Sequence, residues 1–241
     1  MTIIFPHVPK VGGTSILKQL RESGLKVFVD YDAPPTVHPW HQRQCERRNA
    51  EARLLDFSAF DVVFGHFPVE RYDGDRGYTY VALTRDPFKR VVSDLNFMFR
   101  FEGRNPEQPA TTDDAGNTLT ASVGHRRQLE GMTGNSPAVL ERIRSGDLPI
   151  DKHLNGSGRA RYYKLYLNHW PRERFGLVGD MSDYPGFLDR LGKLLRVQLS
   201  ADVVERKGEQ RLTIDPEQEE RIRYLLRDDY AWYNQFHEID V

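Results

Sequence analysis

The sequence predicts an α/β fold with a central, mostly parallel sheet flanked by helices, and three observations lead there. Short runs rich in β-branched and aromatic residues alternate with segments whose apolar residues recur at helical spacing. Three of those runs, TIIFPHV, FDVVF and YTYVALT, are each followed by a loop carrying glycine or proline, namely PKVGGTS, GHFP and TRDP. No internal repeat or low-complexity tract interrupts the alternation. In sheets of this kind ligands bind outside the carboxyl ends of the strands, so the three loops are expected along one edge.

The first strand is predicted at Thr2 to Val8, followed by a helix from Ser15 to Ser23 with Ile16, Leu17 and Leu20 on one face. Gly24 ends that helix, and a second strand is expected at Lys26 to Asp30. The proline-rich DAPPTVHPW reads as a loop and CERRNAEARLLDF as a short helix. Phe60 to Phe64 and Tyr78 to Thr84 are β-rich and bounded by glycine and proline, which marks them as sheet strands. Asp86 to Phe99 reads as a helix, because Phe88, Val91, Val92, Leu95 and Phe99 repeat at its period and Pro87 sits in the first turn, where a missing amide does no harm. Phe101 to Asn117 is polar and without period, and is expected to be a mobile loop or excursion. Helices are expected to resume around Pro137 to Ser145 and Gly158 to Leu167, with a late strand at Phe175 to Val178 and a helix at Tyr184 to Leu195. The tail from Asp215 to Gln235 reads as one amphipathic helix carrying Ile222, Leu225, Leu226 and Tyr230 on its apolar face.

A chain of 241 residues is long enough for one large domain spanning 1–241, with a mobile or acceptor-side insertion around 101–120. Its 39% hydrophobic and 29% charged residues, with a formal net charge of -1, argue against disorder, against a membrane protein and against a nucleic-acid partner, whose usual footprint is a basic excess. Cys45 is the only cysteine, so no internal disulfide forms. No stretch approaches a membrane span and the N-terminus enters an apolar strand directly, so a cytoplasmic location is expected.

In PKVGGTS, Gly12 and Gly13 let the backbone approach an anion, the following helix aims its amides at the same spot, Lys10 adds a point charge, and Thr14 and Ser15 add hydroxyls. The alternative is an ordinary glycine-rich turn with a solvent lysine. The lysine precedes the glycines and no GK[ST] follows, which counts against a nucleoside triphosphatase of the usual kind. In TRDPFKRVVSDLNF, Arg85 falls at a strand end and Ser93 two helical turns on, a guanidinium and hydroxyl pair suited to a terminal phosphate. The alternative is a surface Arg85–Asp86 pair beside an unremarkable helical serine. His66 in GHFP reads either as a general base or as a packed structural histidine. His7 reads as a strand residue held by packing, and the H-x2-H-x3-C spacing of His38, His41 and Cys45 lacks a fourth ligand for a metal.

Together these stretches resemble the sulfotransferases that use 3′-phosphoadenosine 5′-phosphosulfate (PAPS), especially the branch that includes heparan sulfate O-sulfotransferases and many bacterial relatives. The resemblance implies a P-loop-type three-layer fold. It also implies that Lys10, Gly12, Gly13, Thr14 and Ser15 hold the 5′-phosphosulfate end, that Arg85 and Ser93 hold the 3′-phosphate, and that His66 is the base toward an acceptor hydroxyl. GHRRQLEGM, RFGLVGDMSDYPGFLDRL and WYNQF look like later blocks of the same family. ERKGEQ falls where the family's nucleotide-covering loop lies, so Arg206, Lys207 and Gly208 would close over the 3′-phosphate, with a solvated charged turn as the alternative. Val11 stands where threonine or serine is commoner, a change that removes no phosphate contact. The product would be adenosine 3′,5′-bisphosphate (PAP), and no metal is called for. The acceptor would be a hydroxyl of a carbohydrate, a glycoconjugate or another small molecule. Trp40, His41, Phe67, Phe97, Phe99 and Arg100 fall near the expected mouth and read as an apolar and basic cleft, with buried packing of the aromatics as the alternative. The rival readings are a nucleotide or small-molecule kinase and a non-catalytic nucleotide-binding module.

Overall fold

The computed structural model describes residues 1–32, 34–35, 39–74, 76–99, 145, 147, 149–150, 154, 159–168, 170–200 and 214–237. Its centre is a five-stranded sheet, all parallel where paired, built from β1 (Ile3–Pro6), β2 (Val27–Asp30), β3 (Val62–Gly65), β4 (Thr79–Thr84) and β5 (Leu177–Asp180) in the order β2-β3-β1-β4-β5. Helices flank the sheet in a three-layer α/β arrangement: α1 (Gly13–Glu22), α2 (Pro39–Leu54), α3 (Pro87–Phe99), α4 (Tyr162–Leu167), α5 (Tyr184–Leu195), α6 (Pro216–Leu225) and α7 (Arg227–His237). The expected α/β class, with a parallel sheet, is what the chain forms.

The sheet sits where it does because its central strands are apolar on both faces, as a parallel sheet covered by helices requires. Ile3, Ile4 and Phe5 of β1, Val63 and Phe64 of β3, and Val81, Ala82 and Leu83 of β4 are all buried. The edge strand β2 is only half-buried over Val27–Val29. A second apolar cluster lies outside the sheet, where Val91 and Leu95 of α3 meet Ile222 of α6 and Leu226.

From β1 the chain moves to β2 and β3 on one side, then crosses to β4 on the other. The carboxyl end of β1 is thus the point where the winding reverses, and the ends of β3 and β4 stand beside it. This puts the three glycine- and proline-bearing loops on one edge, as their positions after strands predicted.

Several boundaries differ from the sequence-based expectation, three of them by more than the last turn or strand residue. α2 begins at Pro39, inside the proline-rich stretch read as a loop, because a proline is well tolerated in a first helical turn. The C-terminal helix is two helices: α6 stops at the cap residue Leu226, whose amide bonds the Ile222 carbonyl, and α7 starts at Arg227 with Asp228 and Asp229 in its first turn. The helix expected from Gly158 is a 3-10 turn at Arg159–Arg161 followed by the short α4. The stretches 101–120, 124–132 and 137–144 lie outside the described residues.

The end of β2 is fastened to the rest by a buried arginine. Arg71, on a 3-10 turn at Val69–Tyr72, donates to Asp30 Oδ2 at 2.9 Å, to the Asp32 carbonyl at 2.7 Å and to Asn49 Oδ1 of α2 at 2.8 Å. Tyr72 donates to the same Asp30 oxygen at 2.6 Å, and both charged side chains are fully buried. Such a pair is weak as a net stabiliser but costly to break, because one partner is left charged and buried. Arg71→Met is therefore expected to cost about 3–5 kcal/mol in chemical denaturation. The double variant Arg71→Met with Asp30→Asn should recover a substantial part of the loss; a double variant less stable than Arg71→Met alone would contradict this account.

Candidate active site

The loop after β1 holds two residues in the left-handed region, Lys10 at φ 73° and Gly12 at φ 78°. For glycine this conformation is ordinary; for lysine it is strained, at about 1–3 kcal/mol, and persists only where the surroundings impose it. Val11 between them is fully buried and pins the loop to the core. Gly12 is the N-cap of α1 and offers no side chain to the helix amides, and the first turn carries no acidic residue. The amides of Gly13, Thr14 and Ser15 are therefore a set of positive helix-end donors with no capping side chain, the arrangement that suits an anion. Thr14 is exposed and Ser15 half-buried beside them. The two glycines are needed for different reasons, Gly12 for its left-handed backbone and Gly13 for space. A Cβ on Gly13 would lie 2.0 Å from the His7 ring, and one on Gly12 would meet Met181 Sδ at 3.2 Å.

Lys10 points its ammonium at the face of Phe97 on α3, 3.7 Å from the ring centroid. This contact fixes which face of α3 turns toward the loop. Ser93 precedes Phe97 by one turn and shares that face, as residues four apart on a helix do.

His66 follows β3 directly and is half-buried. Its Nδ1 lies 2.8 Å from the His7 carbonyl, and its ring sits 4.8 Å from that of His7, 4.7 Å from Tyr31 and 6.1 Å from Tyr166. The His66 ring is thus held among three aromatic neighbours at the strand ends.

Arg85 follows β4, and its Nη1 donates to the Lys10 carbonyl at 3.3 Å. Its own peptide is clamped by Tyr163 of α4, whose hydroxyl accepts from Arg85 N–H at 2.8 Å and donates to the Arg85 carbonyl. Burial pushes the Tyr163 phenol far above its usual range, so it stays a neutral donor and acceptor. Asp86 is occupied elsewhere: it accepts from the Lys89 amide at 2.8 Å at the start of α3 and from the Tyr230 hydroxyl at 3.0 Å.

Of the predicted site residues, the structure brings Lys10, Gly12, Gly13, Thr14, Ser15, His66 and Arg85 to adjoining strand ends, with Ser93 on the facing side of α3. Arg206, Lys207 and Gly208 lie outside the described residues, as do the side chains of Trp40, His41, Phe99 and Arg100. Phe67, expected at the acceptor mouth, is instead fully buried with its ring 4.8 Å from Tyr72, because the chain turns inward again after His66. Phe97 is 40% exposed. Among the described residues no group of three or more His, Cys, Asp or Glu side chains is placed to hold a metal ion, and no helix there is long and apolar enough to cross a membrane.

Sequence reasoning missed Tyr31, Tyr163, Tyr166 and Met181, which come from distant segments and carry no local signal. His7, read as a packed strand residue, is buried, and neither ring nitrogen has a hydrogen-bond partner among the described residues. Its basicity is driven well below the usual histidine value, first by burial and then by the charges of His66 and Lys10. The unfolded chain takes up a proton at this residue below its ordinary value of 6.5 while the folded chain does not, so the contribution is present above that value and is lost as pH falls. Wild type is expected to lose stability relative to His7→Leu as the pH falls below 6.5, with a slope of at most about 1.4 kcal/mol per pH unit. Asp229, which burial raises to about 6, acts in the opposite sense but is present in both proteins and cancels in the difference. Parallel pH curves from thermal melts of the two proteins would refute the expectation.

No family model and no curated protein matches the chain. A solved structure described as a sulfotransferase from Alicyclobacillus acidocaldarius is similar over 99% of this chain and 96% of that one, with 16% sequence identity and a TM-score of 0.47.

Proposed function

We propose that this protein is a PAPS-dependent sulfotransferase that moves a sulfuryl group to an acceptor hydroxyl by in-line displacement. The observation that carries the proposal is the junction of the two anion-binding elements. Arg85 reaches the Lys10 carbonyl at 3.3 Å, so the guanidinium stands against the loop whose uncapped helix amides follow Gly12. The sequence resemblance assigns these elements to the two phosphate-bearing ends of one nucleotide, and His66 stands on the neighbouring strand end.

The residues present fit such a donor. Gly12 and Gly13 leave the backbone bare, α1 presents uncapped amides, and Lys10 and Arg85 bring positive charge to the same edge. PAPS would supply a sulfuryl group on a phosphate leaving group. Lys10 and the amides of Gly13 to Ser15 would neutralise charge growing on that phosphate. Arg85 and Ser93 would fix the nucleotide by its 3′-phosphate, with Arg206, Lys207 and Gly208 closing over it. His66 would take the proton from the acceptor hydroxyl. A sulfuryl group carries less negative charge than a terminal phosphoryl, so the reaction does not call for a metal ion. The acceptor class we assign is a carbohydrate, glycoconjugate or other small hydroxyl compound.

Calorimetric titration with PAP, beside ATP with magnesium, tests the donor. Wild type is expected to prefer PAP, and Arg85→Ala to bind it about 10- to 100-fold more weakly, the loss of charge-assisted hydrogen bonds to a phosphate. Preference for ATP would favour a kinase, and binding of neither would end the proposal. His66→Ala is expected to keep PAP affinity within about threefold while transfer from radiolabelled PAPS to a saccharide acceptor panel falls by about 10²–10⁴. Undiminished transfer in that variant would remove His66 as the base.

A further inference from the structure

His7 touches both halves of the site. Its amide donates to the Gly65 carbonyl at 2.7 Å, which carries the β1–β3 pairing one residue past the strands. Its carbonyl receives His66 Nδ1 at 2.8 Å. A carbonyl oxygen accepts hydrogen bonds and has no hydrogen to give, so Nδ1 must carry the hydrogen. In the neutral imidazole the lone pair is then on Nε2.

The His7 ring works on the other side. It stacks on Phe64 with centroids 5.2 Å apart and planes 17° from parallel. Its Nδ1–Cε1–Nε2 edge is pressed against Gly13, where an added Cβ would fall 2.0 Å from Cε1, 2.1 Å from Nε2 and 2.5 Å from Nδ1. Both ring nitrogens are buried without a hydrogen-bond partner among the described residues, although the ring is only 6% exposed. The two unmet nitrogens are a cost borne to keep a ring in this place.

We propose that His7 is a positioning residue for the transfer, its carbonyl holding the neutral His66 ring with the hydrogen on Nδ1 and its ring seating Gly13, so that base and anion loop are set by one residue. The assignment of His66 as base rests on the sulfotransferase reading; the tautomer and the seating of Gly13 do not. Nε2 is then the nitrogen that takes the acceptor proton. The loop cannot shift toward His7 at Gly13 without moving the ring beside which His66 lies, 4.8 Å away and tilted by 35°.

Two measurements test this. Nitrogen-resolved NMR of the imidazoles of the wild-type chain above pH 7 reports the tautomer without any variant. The Nδ1–H form of His66 is expected, and a dominant Nε2–H form would overturn the proposal. The second is a double-mutant cycle read by PAP affinity, with thermal melts as the folding control. Gly13→Ala is expected to weaken PAP binding by about tenfold or more in wild type but by less than about threefold in the His7→Ala background, where the new methyl enters the vacated ring space. Equal effects in both backgrounds would show the loop and His7 to be independent and would overturn the proposal. If wild type binds no PAP, the sulfotransferase reading falls, and the His66 tautomer alone decides the His7 assignment. If Gly13→Ala does not fold, recovery of folding in the double variant supports the seating and its absence refutes it.

Discussion

The parallel pairing of β1 between β3 and β4 is the constraint on which the rest depends. Pro6 pairs with Gly65, and Gly65 also pairs with Asp30 on the far side, so one residue sets the ends of three strands. Gly65 is irreplaceable in that role: a Cβ there would fall 1.7 Å from the Asp30 carbonyl oxygen. Asp30 is in turn held by Arg71 and Tyr72. A slip of one residue in this register would turn His66 to the opposite face of the sheet and separate it from the loop after β1.

The site is set in rigid surroundings that tolerate local cost. Lys10 keeps a left-handed backbone, the His7 nitrogens have no hydrogen-bond partner among the described residues, and Asp229 is a buried carboxyl whose affinity for protons is raised. Each of these works against folding. Apolar strands on both sides of β1 and the cluster joining α3 to α6 supply the compensation. Violations of local preference collected near a sheet edge mark a functional region more often than a purely structural one.

Much of this was legible in the sequence because it rests on local chemistry. The strands announce themselves by β-branched runs, α5 by apolar spacing that matches Tyr184–Leu195, and the loop by its paired glycines. The positions of Arg85 and His66 at neighbouring strand ends are legible because each directly follows a β-rich run. What stayed hidden depends on distant residues or on a weak local contrast. The start of α2 is masked by three prolines that look like a loop, although one of them is compatible with a first helical turn. The break at Leu226 is invisible to periodicity because α6 and α7 continue the same apolar rhythm. Tyr163 acts on Arg85 from 78 positions away, and the contact of His7 with Gly13 is made by the fold and carries no local signal.

Tyr163 also ties the Arg85 peptide to the far end of the fold. Its ring lies 5.2 Å from Trp232 and 6.3 Å from Tyr233, and its amide donates to Asp229, all three on α7. The peptide at the end of β4 is thus held by a hydroxyl whose own ring is held by α7. A close-packed interior passes strain along such a chain of contacts, so a change in the packing of α7 reaches Arg85 through a single ring.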